Sequence, residues 1–283
     1  MKSLGKNNLA LIYNAVKKEN TQVVNSIKNF LEKKKINVWV GKAVVPDSDW
    51  DSLPDDIDFS IIVGGDGTLL GASRILAPKN IPLFGINTGR LGFLTEGTGE
   101  KTLALVEEVL NNNCQIEERV MLAVYIANNG PMYALNDVVI SRGTSNKMIH
   151  LTLNVNEKPV ADYIADGLIV STPTGSTAYA LSAGGAVMDP EIHGIEIVPI
   201  CAHSLTNRPH IVSDSKTLTI TFNRPHEGTV LQLDGQQFFP VSFGTKIEIK
   251  RAKHNTKLIR LLDDKSNFYY RIRQKFHWGR TTS

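Results

Sequence analysis

Phe59-Ser60-Ile61-Ile62-Val63-Gly64-Gly65-Asp66-Gly67-Thr68-Leu69-Leu70 decides the fold. Phe59 to Val63 is a short apolar run and reads as a buried strand. Gly64 to Gly67 reads as a tight turn, and Thr68 to Leu76 as a helix. Glycines at such a turn let backbone N–H groups approach phosphate oxygens closely. The charged side chain at the turn, Asp66, is a carboxylate and not the lysine of a P-loop. A carboxylate repels phosphates, so its presence there needs a role. It can take the proton of an attacking hydroxyl, or it can hold Mg²⁺. Both roles belong to phosphoryl transfer. The same residues also fit an ordinary turn with an Asx-type bond, so the rest of the chain has to arbitrate.

Outward from this stretch, strand and helix signals alternate. Leu9 to Tyr13, Ile36 to Val40 and Ile81 to Ile86 read as further strands, the last starting after Pro82. Val23, Val24, Ile27, Phe30 and Leu31 carry a helical period, and Leu103 to Leu110 is helical again. Alternation of this kind predicts a parallel, Rossmann-like α/β domain over residues 1–118. From residue 119 the texture changes to alternating runs such as His150 to Val155 and Thr217 to Phe222. They predict an all-β second domain, a β-sandwich, over 119–265. Residues 266–283 read as a basic, aromatic tail that docks loosely, packing back on the first domain.

Composition narrows the class. With 283 residues, 42% of them hydrophobic and 21% charged, the chain has enough apolar material for sizeable cores. A net charge of +3 and the lack of a basic–aromatic stripe argue against nucleic-acid binding. No run is long and apolar enough to span a bilayer, and the N-terminus does not read as a signal peptide. Cys114 and Cys201 form no spacing pattern, which suits a reducing, cytoplasmic setting. The seven histidines do not pair at ligand spacing, so no residue is assigned as a metal ligand.

Four further segments carry chemistry. Gly85-Ile86-Asn87-Thr88-Gly89-Arg90-Leu91-Gly92-Phe93-Leu94 is a second glycine cluster after a strand, where open α/β sheets bind ligands. Asn136-Asp137 sits between two apolar runs, as a plain turn or as a bulge aimed at a ligand. Asp166-Gly167-Leu168-Ile169-Val170-Ser171-Thr172-Pro173-Thr174-Gly175-Ser176-Thr177-Ala178-Tyr179-Ala180-Leu181-Ser182 is crowded with hydroxyls. They fit either a pocket for a nucleoside or the cap of a helix near Ser176. Asp234-Gly235-Gln236 reads first as a hairpin turn.

In this order the segments, together with Ser204-Leu205-Thr206-Asn207-Arg208-Pro209, resemble the NAD kinase family, of the bacterial type that uses ATP or polyphosphate. The resemblance spans roughly residues 57–240 and implies an enzyme that phosphorylates the adenosine-ribose 2′-hydroxyl of NAD, giving NADP, with Mg²⁺ accompanying the nucleotide. It implies a homodimer or homotetramer whose site lies between domains, with help from a neighbouring subunit. By the family's motifs, Asp66 resembles the general base and Gly67 a backbone contact beside it. Asn136 and Asp137 resemble the pair that grips the nucleoside. Asp166, Thr177, Ala178, Tyr179, Ala180, Leu181, Ser182 and Gln236 resemble further NAD contacts, and Lys147 a contact from a loop. Two departures stand out: Asp137 replaces the family's frequent Glu, and Ile164-Ala165 stand where some members carry a basic residue. Rival readings are a lipid or sugar-phosphate kinase sharing the Gly-Gly-Asp-Gly-Thr turn, a non-catalytic NAD sensor, and a Rossmann dehydrogenase. A lipid kinase would tend to carry Gly-Thr-x-Asn-Asp where this chain has Asn87-Thr88-Gly89-Arg90, a sugar-phosphate kinase needs more basic residues near the site, a sensor needs no base at Asp66, and a dehydrogenase needs a Gly-x-Gly-x-x-Gly that the early strands lack.

Overall fold

The computed structural model describes residues 4–43, 47–89, 92–98, 101–127, 129–263 and 267–277. Arg90 and Leu91 of the second glycine cluster therefore lie outside the described residues. The chain divides into two units. The first runs to Glu118 and resumes at Thr256, and the second is Arg119–Asn255.

The first unit opens with β1 (Asn8–Tyr13), α1 (Lys18–Lys33), β2 (Asn37–Lys42), β3 (Phe59–Val63), α2 (Asp66–Leu76), β4 (Leu83–Asn87), β5 (Glu96–Thr98), α3 (Thr102–Leu110) and β6 (Cys114–Arg119). Every residue of β3 and β4 is buried, which is why both read as unbroken apolar runs and not as alternating ones. On α1, Val24, Ile27 and Leu31 form the buried stripe. They pack with Leu9, Leu11, Phe59, Ile61 and Phe84 from the strands.

The second unit holds β7 (Leu122–Ile126), β8 (Met132–Ala134), β9 (Asp137–Ser141), β10 (Ile149–Val155), β11 (Lys158–Ala165), β12 (Gly167–Ser171), the short α4 (Tyr179–Ser182), β13 (Gly194–Ile200), β14 (His210–Ser213), β15 (Leu218–Phe222), β16 (Val230–Leu233), β17 (Gln237–Pro240) and β18 (Ile247–Arg251). They form two six-stranded sheets, ordered β11-β10-β15-β18-β7-β8 and β14-β13-β12-β9-β16-β17. Leu151, Leu153, Ile220 and Ile249 of one sheet meet Val138, Ile140, Leu168 and Leu233 of the other in one core. The expected β-sandwich is thus present. The outer face of β12 is covered as well, because Ala180 of α4 packs on Val139, Ile169 and Val198.

Chain then returns to the first unit as β19 (Thr256–Leu261) and α5 (Phe268–Phe276). The first sheet has the order β2-β1-β3-β4-β19-β6, with β5 beside β4. β1, β2, β3, β4 and β19 pair in parallel. Here the structure departs from the sequence reading, which left residues 256–261 in the second domain. An apolar strand of low helical period cannot announce which sheet it joins. The tail does belong with the first unit, as expected, but it does not dock loosely: α5 is a capped helix, with Asn267 accepting from the Tyr270 N–H at 2.7 Å, and its Arg271 is only 1% exposed.

Leu258 is fully buried and pairs with Leu83. Leu258→Ala is expected to cost about 2–5 kcal/mol. Hydrogen exchange should quicken in β4 and β6 while β10 and β15 keep their protection.

Candidate active site

The order β2-β1-β3-β4 reverses direction between β1 and β3, so the crevice at the carboxyl ends of those strands is where a ligand is expected. β3 ends there at Val63, and Gly65 is the N-cap of α2. At Gly64 a Cβ would run into the Thr68 side chain. At Gly65 nothing stands within 4 Å of such an atom, leaving room for a ligand to approach the backbone. Asp66 occupies the first turn of α2, half-buried. Its Oδ2 accepts from the Phe93 N–H at 2.7 Å, and its Oδ1 from the Leu94 N–H at 3.1 Å and the Thr95 hydroxyl at 3.2 Å. Gly92 is required beside it, because a Cβ there would collide with the Asp66 carboxylate. The two glycine clusters are therefore one construction: the second wraps the acid of the first. Asn87 braces it, donating to Thr95 Oγ1 at 3.1 Å and accepting from the Gly89 N–H at 2.7 Å.

The second unit gathers its polar residues at one end of the β12–β9–β16 sheet. Ser171 pairs with Asp137, and Leu233 with Val138. Asn136 and Asp137 stand at the start of β9, and the Thr172–Ser182 segment leaves β12 beside them. The Thr172 N–H donates to the Asn136 carbonyl at 2.9 Å and its hydroxyl to the Leu135 carbonyl at 2.6 Å. Gly175 lies so close that a Cβ would strike the Asn136 carbonyl. The hydroxyl run does not cap a helix: neither the turn at Gly175–Thr177 nor α4 has a side-chain cap hydrogen bond. Thr172 and Ser176 are buried and spend their hydroxyls on backbone, with Ser176 donating to the Pro173 carbonyl at 2.7 Å. Thr177, Tyr179 and Ser182 reach the surface, while Ala180 faces the sheet.

Asp234 is a residue whose role the sequence hid. The hairpin turn is present, with Asp234 and Gly235 both at positive φ (51° and 62°). Yet the Asp234 carboxylate also accepts from the N–H groups of Leu135, Asn136 and Asp137 at 3.1, 2.7 and 3.2 Å. It fixes the backbone of the Asn-Asp pair, and an Asp-Gly turn gives no sequence signal for that. Gln236 is exposed on the same turn. Asp137, by contrast, is 4% exposed, and burial, then the nearby Asp234 charge, push its carboxyl up to about 7.

The structure does not bring Asp166 to this end. Gly167 pairs with Ser141 and Ser171 with Asp137, so Asp166 lies beyond the opposite end of β12, about 17 Å along the strand from Ser171. There it meets Arg142 Nε at 2.8 Å. Lys147 is exposed on the loop after Arg142, at that same far end.

An acid clamped at the carboxyl edge of a parallel sheet in one unit, and a polar rim at one end of a sandwich in the other, are the arrangement to set against known nucleotide-dependent phosphotransferases. Residues 48–114 match the ATP-NAD kinase N-terminal domain and residues 135–261 the ATP-NAD kinase C-terminal domain. The NAD kinase of Geobacter sulfurreducens is 39% identical over 235 residues, 80% of this chain and 82% of that protein. The chain belongs to the NAD kinase family. The NAD kinase of Carboxydothermus hydrogenoformans is likewise 39% identical, over 87% of this chain and 89% of its own length. Among solved structures, an Archaeoglobus fulgidus NAD kinase in complex with ATP has a TM-score of 0.72 at 27% identity, covering 95% of this chain and 97% of that one. Yeast NADH kinase complexed with NADH has a TM-score of 0.84 at 22% identity, over 98% and 89%, a likeness of fold.

The Asp137 carboxyl generates a stability prediction. Unfolded, it ionises near 3.8; folded, it keeps its proton up to about 7. The folded state therefore binds more protons between these values, and stability falls as pH rises from about 4 to about 7. Urea unfolding at pH 5 and pH 8 should show that loss, and Asp137→Asn should flatten it.

Proposed function

We propose that Asp66 is the general base for phosphorylation of the adenosine-ribose 2′-hydroxyl of NAD by ATP, giving NADP. Phosphorylation of NAD with ATP is the activity of the family; the roles of the residues are our reading. The observation that carries it is the Asp66 carboxylate, held in place by Phe93, Leu94 and Thr95 at the carboxyl edge of the first sheet. In the step, the 2′-oxygen bonds to the terminal phosphorus and its proton passes to Asp66. The bond from that phosphorus to the bridging oxygen breaks, and ADP leaves. A carboxylate is a weak base, but a loose phosphoryl-transfer transition state asks little of the base until bonding is advanced. The N–H groups at the start of α2 favour the negative charge of the phosphates.

Mg²⁺ fits this donor set as an ion carried on the nucleotide. The described residues include no cluster of three or more His, Cys, Asp or Glu side chains, and Mg²⁺ commonly binds through one or two carboxylates plus substrate phosphates. Asp66 is the carboxylate at the turn. The ion would neutralise charge on the transferring group. Polyphosphate presents similar terminal oxygens and is proposed as a second donor.

Asn136 and Asp137 are proposed to grip the nucleoside, with Thr177, Ala178, Tyr179, Ala180, Leu181, Ser182 and Gln236 around it and Gly67 beside the 2′-hydroxyl. Asp166 and Lys147, at the far end of β12, are proposed to serve the site of a second copy in a homodimer or homotetramer. Exposed Phe238, Leu205 and Phe243 on the second unit suit such burial. Both cysteines are free, and no described helix is long and apolar enough to cross a membrane; we assign the enzyme to the cytoplasm.

Asp66→Asn is expected to keep NAD affinity in calorimetry while lowering the rate of NADP formation by about 10²–10⁴-fold. Ordinary turnover in this variant would remove Asp66 from the mechanism.

A further inference from the structure

Loop Gly92–Thr95 is gripped on both of its faces. Its donors go to Asp66, as described above. Its carbonyls go to two guanidiniums, Arg260 on β19 and Arg271 on α5. Arg271 Nη1 donates to the Gly92 carbonyl at 3.1 Å and also to the Thr95 carbonyl. Arg260 Nη2 donates to the Phe93 carbonyl at 3.0 Å and its Nη1 to the Leu94 carbonyl at 2.9 Å. The carbonyl of Gly92 and the N–H of Phe93 belong to one peptide group. Arg271 therefore sits at the oxygen of the very peptide whose N–H holds Asp66 Oδ2. Arg260 stands in the same relation to Oδ1 through the peptide between Phe93 and Leu94. A peptide polarised at its oxygen by a cation is a stronger and better-fixed donor at its nitrogen.

We propose that Arg271 is a positioning residue for Asp66, acting through the single peptide group between Gly92 and Phe93. The proposal rests on the reading of Asp66 as the base and extends it to a residue that touches neither NAD nor ATP. Three features make the relay stiff. Arg271 and Arg260 side chains are 2% and 3% exposed, and both pair with Glu96 Oε1, at 2.7 and 2.9 Å. Arg260 also meets Glu117 at 2.7 Å. The α5 side chains grip the loop as well: the Phe276 ring lies 5.6 Å from that of Phe93, and Lys275 Nζ lies 5.0 Å from the Phe93 ring centre. Of the two carboxylate oxygens, Oδ2 carries a single hydrogen bond among the described residues, whereas Oδ1 carries two. Oδ2 is thus the oxygen with a lone-pair direction left for the ribose proton, and it is the one Arg271 aims. A helix at the far end of the sequence thereby tunes the chemistry of the Gly-Gly-Asp-Gly turn.

The test is a kinetic cycle on the full-length enzyme with NAD, ATP and Mg²⁺. Arg271→Met is expected to lower kcat about 10- to 100-fold, the size of effect that a displaced catalytic group produces. KM for NAD and for ATP should stay within about twofold, since no binding contact is lost. In an Asp66→Asn background the same substitution should change the residual kcat by less than about twofold, because the group it aims is gone. An equal fall in both backgrounds, a rise in KM at unchanged kcat, or no effect in the parent enzyme would overturn the proposal while leaving Asp66 as the base. Full activity of Asp66→Asn alone would overturn both. If Arg271→Met unfolds, Arg271→Lys keeps the charge beside Glu96 but loses the planar fork. Its kcat should fall in the parent and not in the Asp66→Asn background, and an unchanged parent kcat counts against the proposal.

Discussion

One buried carboxylate, Glu96, holds the first unit's functional edge together. It receives both Arg260 and Arg271, and through them the four carbonyls of the Gly92–Thr95 loop. Two guanidiniums out of water are costly unless their donors are met, and Glu96, even with Glu117 beside Arg260, does not meet them all. The loop supplies the missing acceptors. It has no regular secondary structure to absorb its own carbonyls, so charge and loop satisfy each other. Removing one member of such a group leaves an uncompensated buried charge, a loss of about 3–5 kcal/mol. The arrangement therefore specifies a geometry more than it adds net stability, and what it specifies is the place of Asp66.

The second unit solves a similar problem with one acid instead of a pair of cations. Asp234 collects three successive N–H groups at Leu135, Asn136 and Asp137, in a stretch where β8 has ended and β9 is only beginning. The cost of this economy falls on Asp137, a second acid close by in a buried place. Burial and the charge of its neighbour keep its proton on to about pH 7. A side chain in that state is not settled by the fold alone. A ligand offering hydroxyl or amine donors would settle it, which is the chemistry that a ribose or an adenine brings.

Much of this was legible in the sequence where local pattern and tertiary role coincide. Phe59–Val63 is buried on both faces, so its apolar run could only be an interior strand, and glycines after it marked the turn. Alternation in Leu151, Thr152 and Leu153 gave the sandwich face by face. What stayed hidden were contacts between residues far apart in the chain. Gly92 reads as one more loop glycine, and only the approach of Asp66 shows why a Cβ is excluded there. Thr256–Leu261 reads as a β strand like its predecessors, yet it inserts beside β4 of the first sheet. Arg271 sits in a tail with other basic residues, and nothing local distinguishes the buried one from its exposed neighbour Arg273. Asp166 illustrates the opposite limit: its motif joins it to Thr172 in sequence, but a strand separates them in space.

The two units thus treat their acids in different ways, for reasons that follow from what each must meet. As the proposed base, Asp66 has to be in one place when a hydroxyl arrives, and three donors leave its carboxylate little rotational freedom. Asp137, in the role proposed for it, has to recognise a ligand, and a recognition group gains most when its partner is absent from the folded chain and present in the ligand. An acid proposed to grip the nucleoside would bind it weakly if its acceptors were already satisfied. The acid proposed as base would, if left unclamped, wander by distances that matter to proton transfer. On the proposed roles, a clamped acid on a parallel-sheet edge in one unit, and a buried acid with no side-chain hydrogen bond among the described residues in the other, each have what the chemistry asks of them.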